Sequence, residues 1–273
     1  MGRVIMSGIV PLLSKPYVGP KASLTPTSGV TYTEGLAGLE PAEISSYAQA
    51  ISNATGVTNG TTAMYIDYGD VHRKISIGDQ VTIGVNNVNY AFDVIGFNHD
   101  DLTDSMAYGA ATATGKAGIT FQSVDCLNTK QKMNSSNTNV GGWKSSEMRS
   151  THLPAVKNTI ASAWTGIMKM VNKKASAGNK STSIDTVSDD LFLLSEIEIF
   201  GSTTFSATGE GNQYAWYSAG NTKMKKVNGS VSNWWERSPG ANNTTYFCIV
   251  NNTSVATGSS ASNSFGVSFA FCI

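Results

Sequence analysis

Short apolar runs of alternating polarity dominate the chain from Thr62 onwards. Because successive side chains of a β-strand point to opposite faces of a sheet, a period of two residues predicts strands with one buried face. Strands are predicted at residues 63–68, 74–83 (two short strands about a turn), 81–85, 88–97, 119–124, 191–194, 234–235, 246–251, 255–256 and 267–273. Asn86-Asn87 is predicted to form a hairpin turn. A chain with this pattern folds mainly around sheets.

Helical signals are fewer. Residues 41–53 predict one helix, because Pro41 suits a first turn and Ile44, Tyr47 and Ile51 share one face. This stripe has to be buried against the rest of the chain or at a trimer axis. Two further helices are predicted near 145–152 and 154–173, and a short helix or turn at 195–200. The class is therefore α+β: twisted antiparallel sheets with two helices and long loops, preceded by a small N-terminal segment.

The chain divides into two parts by composition. Prolines are scattered over residues 1–38, which predicts extended arms and turns that need a partner surface. We interpret residues 1–70 as a segment for attachment or oligomerisation, and residues 71–273 as the main domain. The apolar stretch near residues 1–13 is interrupted by Pro11 and lacks a cleavage site, so we expect a structural N-terminus and no signal peptide.

Only 14% of the 273 residues are charged, against roughly 25% in typical globular proteins. Such polar, weakly charged surfaces are typical of proteins that meet sugars or other proteins, and of extracellular β-rich structural proteins. Lys and Arg total 19 and Asp and Glu total 19, which argues against a nucleic-acid partner. Lys223, Lys225 and Lys226 form a short cluster, interpreted as a solvated hairpin tip with polyanion contact as the alternative. No apolar run is long enough for membrane insertion.

Three cysteines at wide spacing indicate neither a disulfide framework nor a zinc site. Cys248 and Cys272 lie in aromatic strands, where buried free thiols are expected, although a bridge between them stays open. Asp100, Asp101 and Asp104 cluster beside His99 and offer oxygen ligands for calcium. Such clusters more often cap strand ends, so we expect no metal and no cofactor.

The motif Asn233-Trp234-Trp235-Glu236-Arg237-Ser238-Pro239-Gly240 is followed by a polar segment and a closing run from Ser264 to Phe271. Together they resemble a family of uncharacterised bacterial and phage domains with the pattern Trp-Trp-x-Arg-Ser-Pro and a closing Gly-Val-x-Pro-Ala-Phe. The resemblance extends over residues 72–273, with further matches at residues 94–100, 133–138, 142–143 and 191–196. The chain departs from the pattern at Ser268, where the usual residue is Pro.

This family is similar to the C-type-lectin-like superfamily, which includes the phage major tropism determinant and the formylglycine-generating enzyme. The resemblance implies a C-type-lectin-like fold and a ligand-facing surface between the two motifs. The residues expected to contact ligand are Asn242, Asn243, Thr244, Thr245, Tyr246, Asn251, Asn252, Thr253, Ser254, Thr257, Ser259, Ser260, Ser262 and Asn263. The residues expected to form its scaffold are Trp234, Trp235, Arg237, Trp143 and Glu196. Arg237 is expected to pair with a carboxylate such as Glu196 or with loop carbonyls.

The resemblance predicts a non-enzymatic, adhesin-type binding protein carried on a phage tail or fibre, and so located in the virion or outside the cell. Its partners would be a cell-surface protein or glycan, and other tail proteins through the N-terminal segment, in a homo-oligomer such as a trimer. Diversification of the binding segment by a retroelement stays open. The alternatives are a purely structural virion protein and an oxidase of the formylglycine-generating type, which needs a reactive thiol pair.

Overall fold

The computed structural model describes residues 19–273, so the expected structural N-terminus at residues 1–13 and the first half of the expected arms lie outside the described residues. The strands are β1 Lys21–Ser23, β2 Thr33–Glu34, β3 Ala63–Tyr68, β4 Val71–Ser76, β5 Gln80–Val85, β6 Val88–Phe97, β7 Ile119–Ser123, β8 Gln131–Lys132, β9 Val171–Ser176, β10 Ile184–Asp189, β11 Leu191–Phe192, β12 Lys225–Val227, β13 Ser230–Ser232, β14 Trp234–Pro239, β15 Tyr246–Val250, β16 Ala256–Ser260, β17 Ser264–Phe265 and β18 Ala270–Cys272. The helices are α1 Pro41–Ser52, α2 Leu153–Lys157, α3 Ser162–Thr165, α4 Glu196–Phe200 and α5 Ala215–Ser218. The fold is α+β, with short helices placed around several small sheets.

Helix α1 confirms the prediction for residues 41–53. Pro41 opens it, and the backbone N–H of Glu40 donates to the Glu43 carboxylate at 2.9 Å. Its apolar stripe of Ile44, Tyr47 and Ile51 is buried inside the chain's own core. The stripe is therefore buried against the rest of the chain. It gives no support to the alternative prediction that it packs at a trimer axis.

A four-stranded sheet, in the order β1-β3-β4-β2, lies next to α1. Its central hairpin pairs β3 with β4 in antiparallel register from Ala63↔Ser76 to Tyr68↔Val71. The expected boundary between residues 70 and 71 falls in the turn of this hairpin. The first residues of the expected main domain are thus paired with the last residues of the expected N-terminal segment.

The largest sheet has five strands in the order β11-β18-β7-β6-β5, all antiparallel. The β5–β6 hairpin turns at Asn86 and Asn87, whose φ angles of 54° and 62° lie in the left-handed region, as the sequence predicts. The C-terminal strand β18 lies between β11 and β7. Phe271 of β18 stacks on Phe121 of β7 with ring centroids 5.3 Å apart, so the last residues of the chain form part of the core.

The helix predicted over residues 154–173 is wrong beyond its first turns. Helix α2 ends at Lys157, α3 covers only one turn, and Val171 already belongs to β9. Val156, Ile160 and Trp164 do recur at helical spacing, but the backbone leaves the helical conformation at Ala161, whose φ and ψ are −57° and 142°. The segment at 145–152 is also not a regular α-helix, because a 3₁₀ turn (Trp143–Ser145) and a π-helical turn (Met148–His152) replace it.

A three-stranded antiparallel sheet, in the order β14-β15-β16, holds the Trp-Trp motif on β14 and places β16 at its edge. Helix α4 confirms the short helix expected at 195–200, and it begins with Ser195 as its N-cap. Within the described residues 19–273, no helix has both the length and the apolar composition that crossing a bilayer requires.

Candidate ligand-binding surface

The segment between the Trp-Trp motif and the closing strand lies at the surface. All fourteen residues expected to contact ligand are exposed or half-buried. Their neighbours in β15, from Phe247 to Val250, are fully buried and anchor the hairpin in the core. The polar segment is therefore carried outwards by a strand that cannot shift without disturbing the core.

The β15–β16 hairpin does not bring the fourteen residues together on one patch. Asn251, Asn252, Thr253 and Ser254 form its turn, whereas Tyr246 pairs with Ser260 at the opposite end. Five residues of strand span about 14 Å between these ends. Thr257 and Ser259 lie between them on β16. A single compact ligand can contact one end only.

The end that holds Tyr246 also gathers residues the sequence analysis did not identify. Tyr246, Phe205 and Val140 are exposed large hydrophobics, at 38%, 39% and 56%. The carbonyl of Phe205 accepts the backbone N–H of Ala241 at 2.7 Å. We call this region the Tyr246 surface. It comprises residues 135–138, 140, 204–205, 242–246, 260 and 262–263, which are exposed or half-buried.

One buried amide organises the Tyr246 surface. Asn139 is fully buried, and its Nδ2 donates to the carbonyls of Asn243 at 2.8 Å and Tyr246 at 2.9 Å. Its Oδ1 accepts the backbone N–H of Asn179 at 2.8 Å. Because this side chain ties its own loop to the loop of residues 242–246 and to the loop at Asn179, the segment that carries residues 242–245 has a fixed shape. No sequence signal marks Asn139 beyond its place after the matched run 133–138.

Two of the expected contact residues use their side-chain oxygens in hydrogen bonds within their own turns. Asn243 Oδ1 accepts the N–H of Thr245 at 2.6 Å and its hydroxyl at 2.7 Å. Asn251 Oδ1 does the same for Thr253, at 2.9 and 2.8 Å. Such Asx turns fix loop geometry. These four side chains shape the hairpin, and Asn263 Nδ2 donates to the Ser259 hydroxyl at 3.0 Å, which leaves Asn242, Thr244 and Asn252 with freer side-chain polar groups.

The expected scaffold residues are all buried beneath this hairpin. The indole N–H groups of Trp234 and Trp235 donate in different directions, to the carbonyls of Lys223 at 3.0 Å and Gln131 at 2.8 Å. Trp143 donates to Asp189 at 2.7 Å. The backbone N–H of Trp235 also donates to Gly266 at 3.0 Å, which joins the Trp-Trp motif to the closing motif. The indoles of Trp234 and Trp235 thus tie β14 to the Lys223 loop and to β8, whereas Trp143 ties its own turn to β10.

Arg237 pairs with Glu198, so the sequence-based choice of Glu196 is wrong. Two guanidinium nitrogens of Arg237 contact the two oxygens of Glu198, at 2.5 and 2.7 Å, and the rest of the guanidinium reaches the carbonyls of Lys174, Leu193 and Glu210. Both carboxylates begin α4, but the capping turn directs only Glu198 towards β14. The expected contact of Arg237 with backbone carbonyls is confirmed.

Glu196 instead holds the loop that carries Phe205. Its carboxylate accepts the backbone N–H groups of Thr204 at 2.9 Å, Phe205 at 3.0 Å and Ser206 at 2.7 Å. Glu196 is itself fully buried. A carboxylate that satisfies three consecutive amides fixes this loop, and so fixes one edge of the Tyr246 surface.

A buried charge network lies below the frame. Lys173 Nζ contacts Asp100 Oδ1 at 2.6 Å and Glu198 Oε1 at 2.8 Å, and these three side chains are almost fully buried. Burial raises the pKa of both carboxyls, but Lys173 beside Asp100, and Arg237 with Lys173 beside Glu198, outweigh it and leave both pKa values below their usual range. Both carboxylates are therefore ionised and paired.

His99, Asp100 and Glu198 offer ligand atoms close enough to hold a metal ion. The Lys173 ammonium already contacts both carboxylates and supplies the positive charge they need. His99 stacks on Tyr214, with ring centroids 3.8 Å apart, and burial lowers its pKa. Asp101 pairs with Lys116, and Asp104 accepts the backbone N–H of Met106. The three aspartates therefore do not face a common point.

The structure thus defines an α+β protein with a rigidly framed polar surface. Residues 117–273 match a family described as a domain of unknown function, DUF6273. The match covers more than half of the chain, which therefore belongs to this family. No curated protein and no solved structure matches the chain.

Proposed function

We propose that this chain is a non-enzymatic binding protein that recognises a cell-surface protein or glycan through the Tyr246 surface. The observation that carries this proposal is the grouping of Tyr246, Phe205 and Val140, all exposed, among short amide and hydroxyl side chains. Aromatic residues surrounded by small polar residues are typical of recognition surfaces, because they supply contact area at little cost in conformational entropy.

The frame below the surface supports the same function. Buried side chains (Asn139, Glu196 and Arg237) fix the loops from beneath. A surface that is ordered before binding loses less entropy on binding. A single patch of this size gives weak affinity, with a Kd on the order of micromolar, and several copies on one particle raise the effective affinity.

We further propose that the domain has the C-type-lectin-like fold and is displayed on a phage tail or fibre as an oligomer such as a trimer. The Trp-Trp-Glu-Arg-Ser-Pro motif, the closing Gly266-Val267 segment that bridges to Trp234 and the α+β architecture support this assignment. The residues before α1 would then serve attachment to other tail proteins, because α1 and β3 pack into the shared core. Ser268, at the position where the family pattern has Pro, donates its hydroxyl to the Ser123 carbonyl at 3.1 Å and fits the core.

The surroundings of the thiols argue against the oxidase alternative. The chain's three cysteines are free and buried, and burial raises the pKa of each thiol above its usual range. A reactive thiol needs a lowered pKa and access to solvent. The second alternative, a structural virion protein, is favoured by the hydrogen bonds of Asn243 and Asn251 within their own turns. These side chains shape loops whether or not a ligand is bound.

The test uses the full chain multimerised on a fluorescent carrier, incubated with a panel of bacterial cells and with an immobilised glycan panel. Tyr246→Ala and Phe205→Ser should each lower the bound fluorescence about tenfold or more, as loss of an interface anchor does. The matched control is Asn252→Lys, at the other end of the same hairpin, which should bind as the unchanged chain does.

Equal loss in the control, or full binding by both surface variants, would contradict the proposal. Binding to no member of either panel would favour the structural virion protein. Circular dichroism and the melting temperature of each variant separate loss of binding from loss of folding.

A further inference from the structure

A second concave site lies away from the Tyr246 surface. A groove of about 440 Å³ runs between the start of β5, helix α5 and the β12–β13 hairpin, and its lining includes Gln80, Asp93, Trp216, Met224, Lys225 and Val231. Its volume lies within the range of small-molecule sites, roughly 300–1,000 Å³. None of these residues belongs to the segment that carries the proposed function.

Asp93 contributes to the groove a carboxylate with a single side-chain hydrogen-bond partner. Its side chain is 6% exposed, yet it accepts one side-chain hydrogen bond, from Gln80 Nε2 at 2.9 Å, and has no ion pair among residues 19–273. Burial raises its pKa. A carboxylate with one side-chain partner has lone pairs left over for a further donor.

A neighbouring amide repeats this pattern. Asp93 lies directly opposite Gln80 on one side and Gln122 on the other, so the three side chains form a row on one face of the five-stranded sheet. Gln122 Oε1 accepts the Tyr217 hydroxyl at 2.6 Å, whereas its Nε2 is buried without a partner in the described structure. The Asp93 carboxylate and the Gln122 amide therefore lie side by side, each with hydrogen-bonding capacity left over.

Lys225 supplies a donor to the same groove. The sequence suggested a solvated hairpin tip here, but Lys225 is buried, and its Nζ donates to the carbonyls of Ser123 at 2.5 Å and Val124 at 3.0 Å. Burial lowers its pKa to about 8. An ammonium group has three N–H donors, so one remains for a further acceptor.

The apolar part of the groove comes from Trp216, Met224 and Val231. Trp216 packs over Gly78 so closely that a Cβ there would lie 3.0 Å from the ring, so the indole has a fixed place. Met224 and Val231 are exposed large hydrophobics on the opposite side. The charged lining residues are Asp93, Asp125, Lys225 and Lys226, which balance to zero net charge.

We propose that this groove binds a neutral saccharide. Vicinal sugar hydroxyls both donate and accept, so they can donate to the Asp93 carboxylate and accept from the Lys225 ammonium. The apolar C–H face of a pyranose matches the wall of Trp216. The balanced charge of the lining favours an uncharged ligand over an anion or an organic cation.

Saturation-transfer NMR on the full chain tests this with the methyl glycosides of glucose, galactose and mannose, with N-acetylglucosamine, and with glycine betaine as a zwitterionic comparison. At least one saccharide should receive saturation. Asp93→Asn keeps the shape and an acceptor for Gln80, and should weaken that binding about tenfold, because a hydrogen bond to a charged group is lost. Val231→Trp fills the groove from an exposed position and should abolish binding without disturbing the core.

The control Tyr246→Ala should bind saccharide as the unchanged chain does, which separates this site from the Tyr246 surface. Saturation of no saccharide, saturation of glycine betaine alone, or undiminished binding by Val231→Trp would overturn the proposal. If Asp93→Asn fails to fold, as its melting curve would show, Val231→Trp still decides the question.

Discussion

Four charged side chains, Asp100, Lys173, Glu198 and Arg237, are buried together beneath the binding surface. Removing charges from water is costly, and only good geometry with several hydrogen bonds compensates. Each of the four makes at least two hydrogen bonds to charged partners, backbone or hydroxyl groups. At the residue scale, the network fixes the relative positions of β9, α4 and β14.

Glu198→Gln should strongly destabilise the protein, because Arg237 and Lys173 would lose their shared counter-charge in the core. The expected loss is about 3–5 kcal/mol of unfolding free energy, measured by urea denaturation. Asp101→Asn, which removes the exposed partner of Lys116, should cost less than about 1 kcal/mol. Equal losses would show that the buried network is not a stabilising element.

Glu210 should make stability depend on pH. Burial raises the pKa of Glu210 to about 7, against hydrogen bonds from Ser238 and Ser176 that lower it. The folded chain therefore holds a proton that the unfolded chain releases near pH 4.5. The resulting stabilisation, about 3 kcal/mol, is complete below pH 4.5 and is lost as the pH rises to about 7.

Glu210→Gln keeps the side-chain shape and removes this titration. Unfolding free energies measured in urea between pH 4.5 and 7.5 should fall less steeply for the variant than for the unchanged chain. Parallel curves would mean that Glu210 is ionised throughout this range in the folded protein.

Among the helices and strands, local sequence signals correctly predicted α1 and the β5–β6 turn, whereas the helical periodicity over residues 154–173 was misleading. The capped stripe of α1 and the Asn86-Asn87 turn determine their own structures, because caps and left-handed turn residues act through neighbouring backbone. The periodicity over residues 154–173 indicated a helix, but β9 replaces its last part. The reason is long-range: on β9, Lys173 reaches Asp100 and Glu198 and Val171 enters the core.

Gly118→Ala should separate α1 from the sheet. A Cβ at this position would lie 1.9 Å from the Ala48 carbonyl oxygen, so the helix backbone itself would have to move. Overpacking of this kind costs about 3 kcal/mol, measured as a drop in unfolding free energy. Gly84→Ala is the matched control, because its nearest neighbour, Asn89 Oδ1, would be 3.6 Å away. A similar stability for both variants would mean that α1 does not need this close approach.

At the scale of the whole molecule, the N-terminal elements share the core of the rest. Ile44 and Ile51 of α1 and Met64 of β3 belong to the same buried cluster as Phe121 and Phe271 of the largest sheet. Asn98 Nδ2 also donates to the Ile51 carbonyl at 2.8 Å. Composition suggested a division near residue 70, but the β3–β4 hairpin crosses it.

Calorimetry of the full chain should therefore show one cooperative transition, with the calorimetric and van't Hoff enthalpies equal. Removing residues 1–70 should leave a chain without cooperative melting, because the core positions filled by Ile44, Ile51 and Met64 would be empty. Two transitions in the full chain, or normal melting of the shortened chain, would support the two-part organisation predicted from the sequence.

Local sequence patterns predicted the strand-rich α+β class, helix α1, the Asn86-Asn87 hairpin and an outward-facing polar segment after the Trp-Trp motif, because alternation, caps and turns act over a few residues. Long-range packing, which these patterns do not encode, pairs Arg237 with Glu198, sets Asn139 beneath the Tyr246 surface, brings Phe205 and Val140 to that surface, and buries Lys225 in a groove. These contacts join residues 36 to 107 positions apart. Local patterns carry no information about such pairings, because packing of the whole chain brings the partners together.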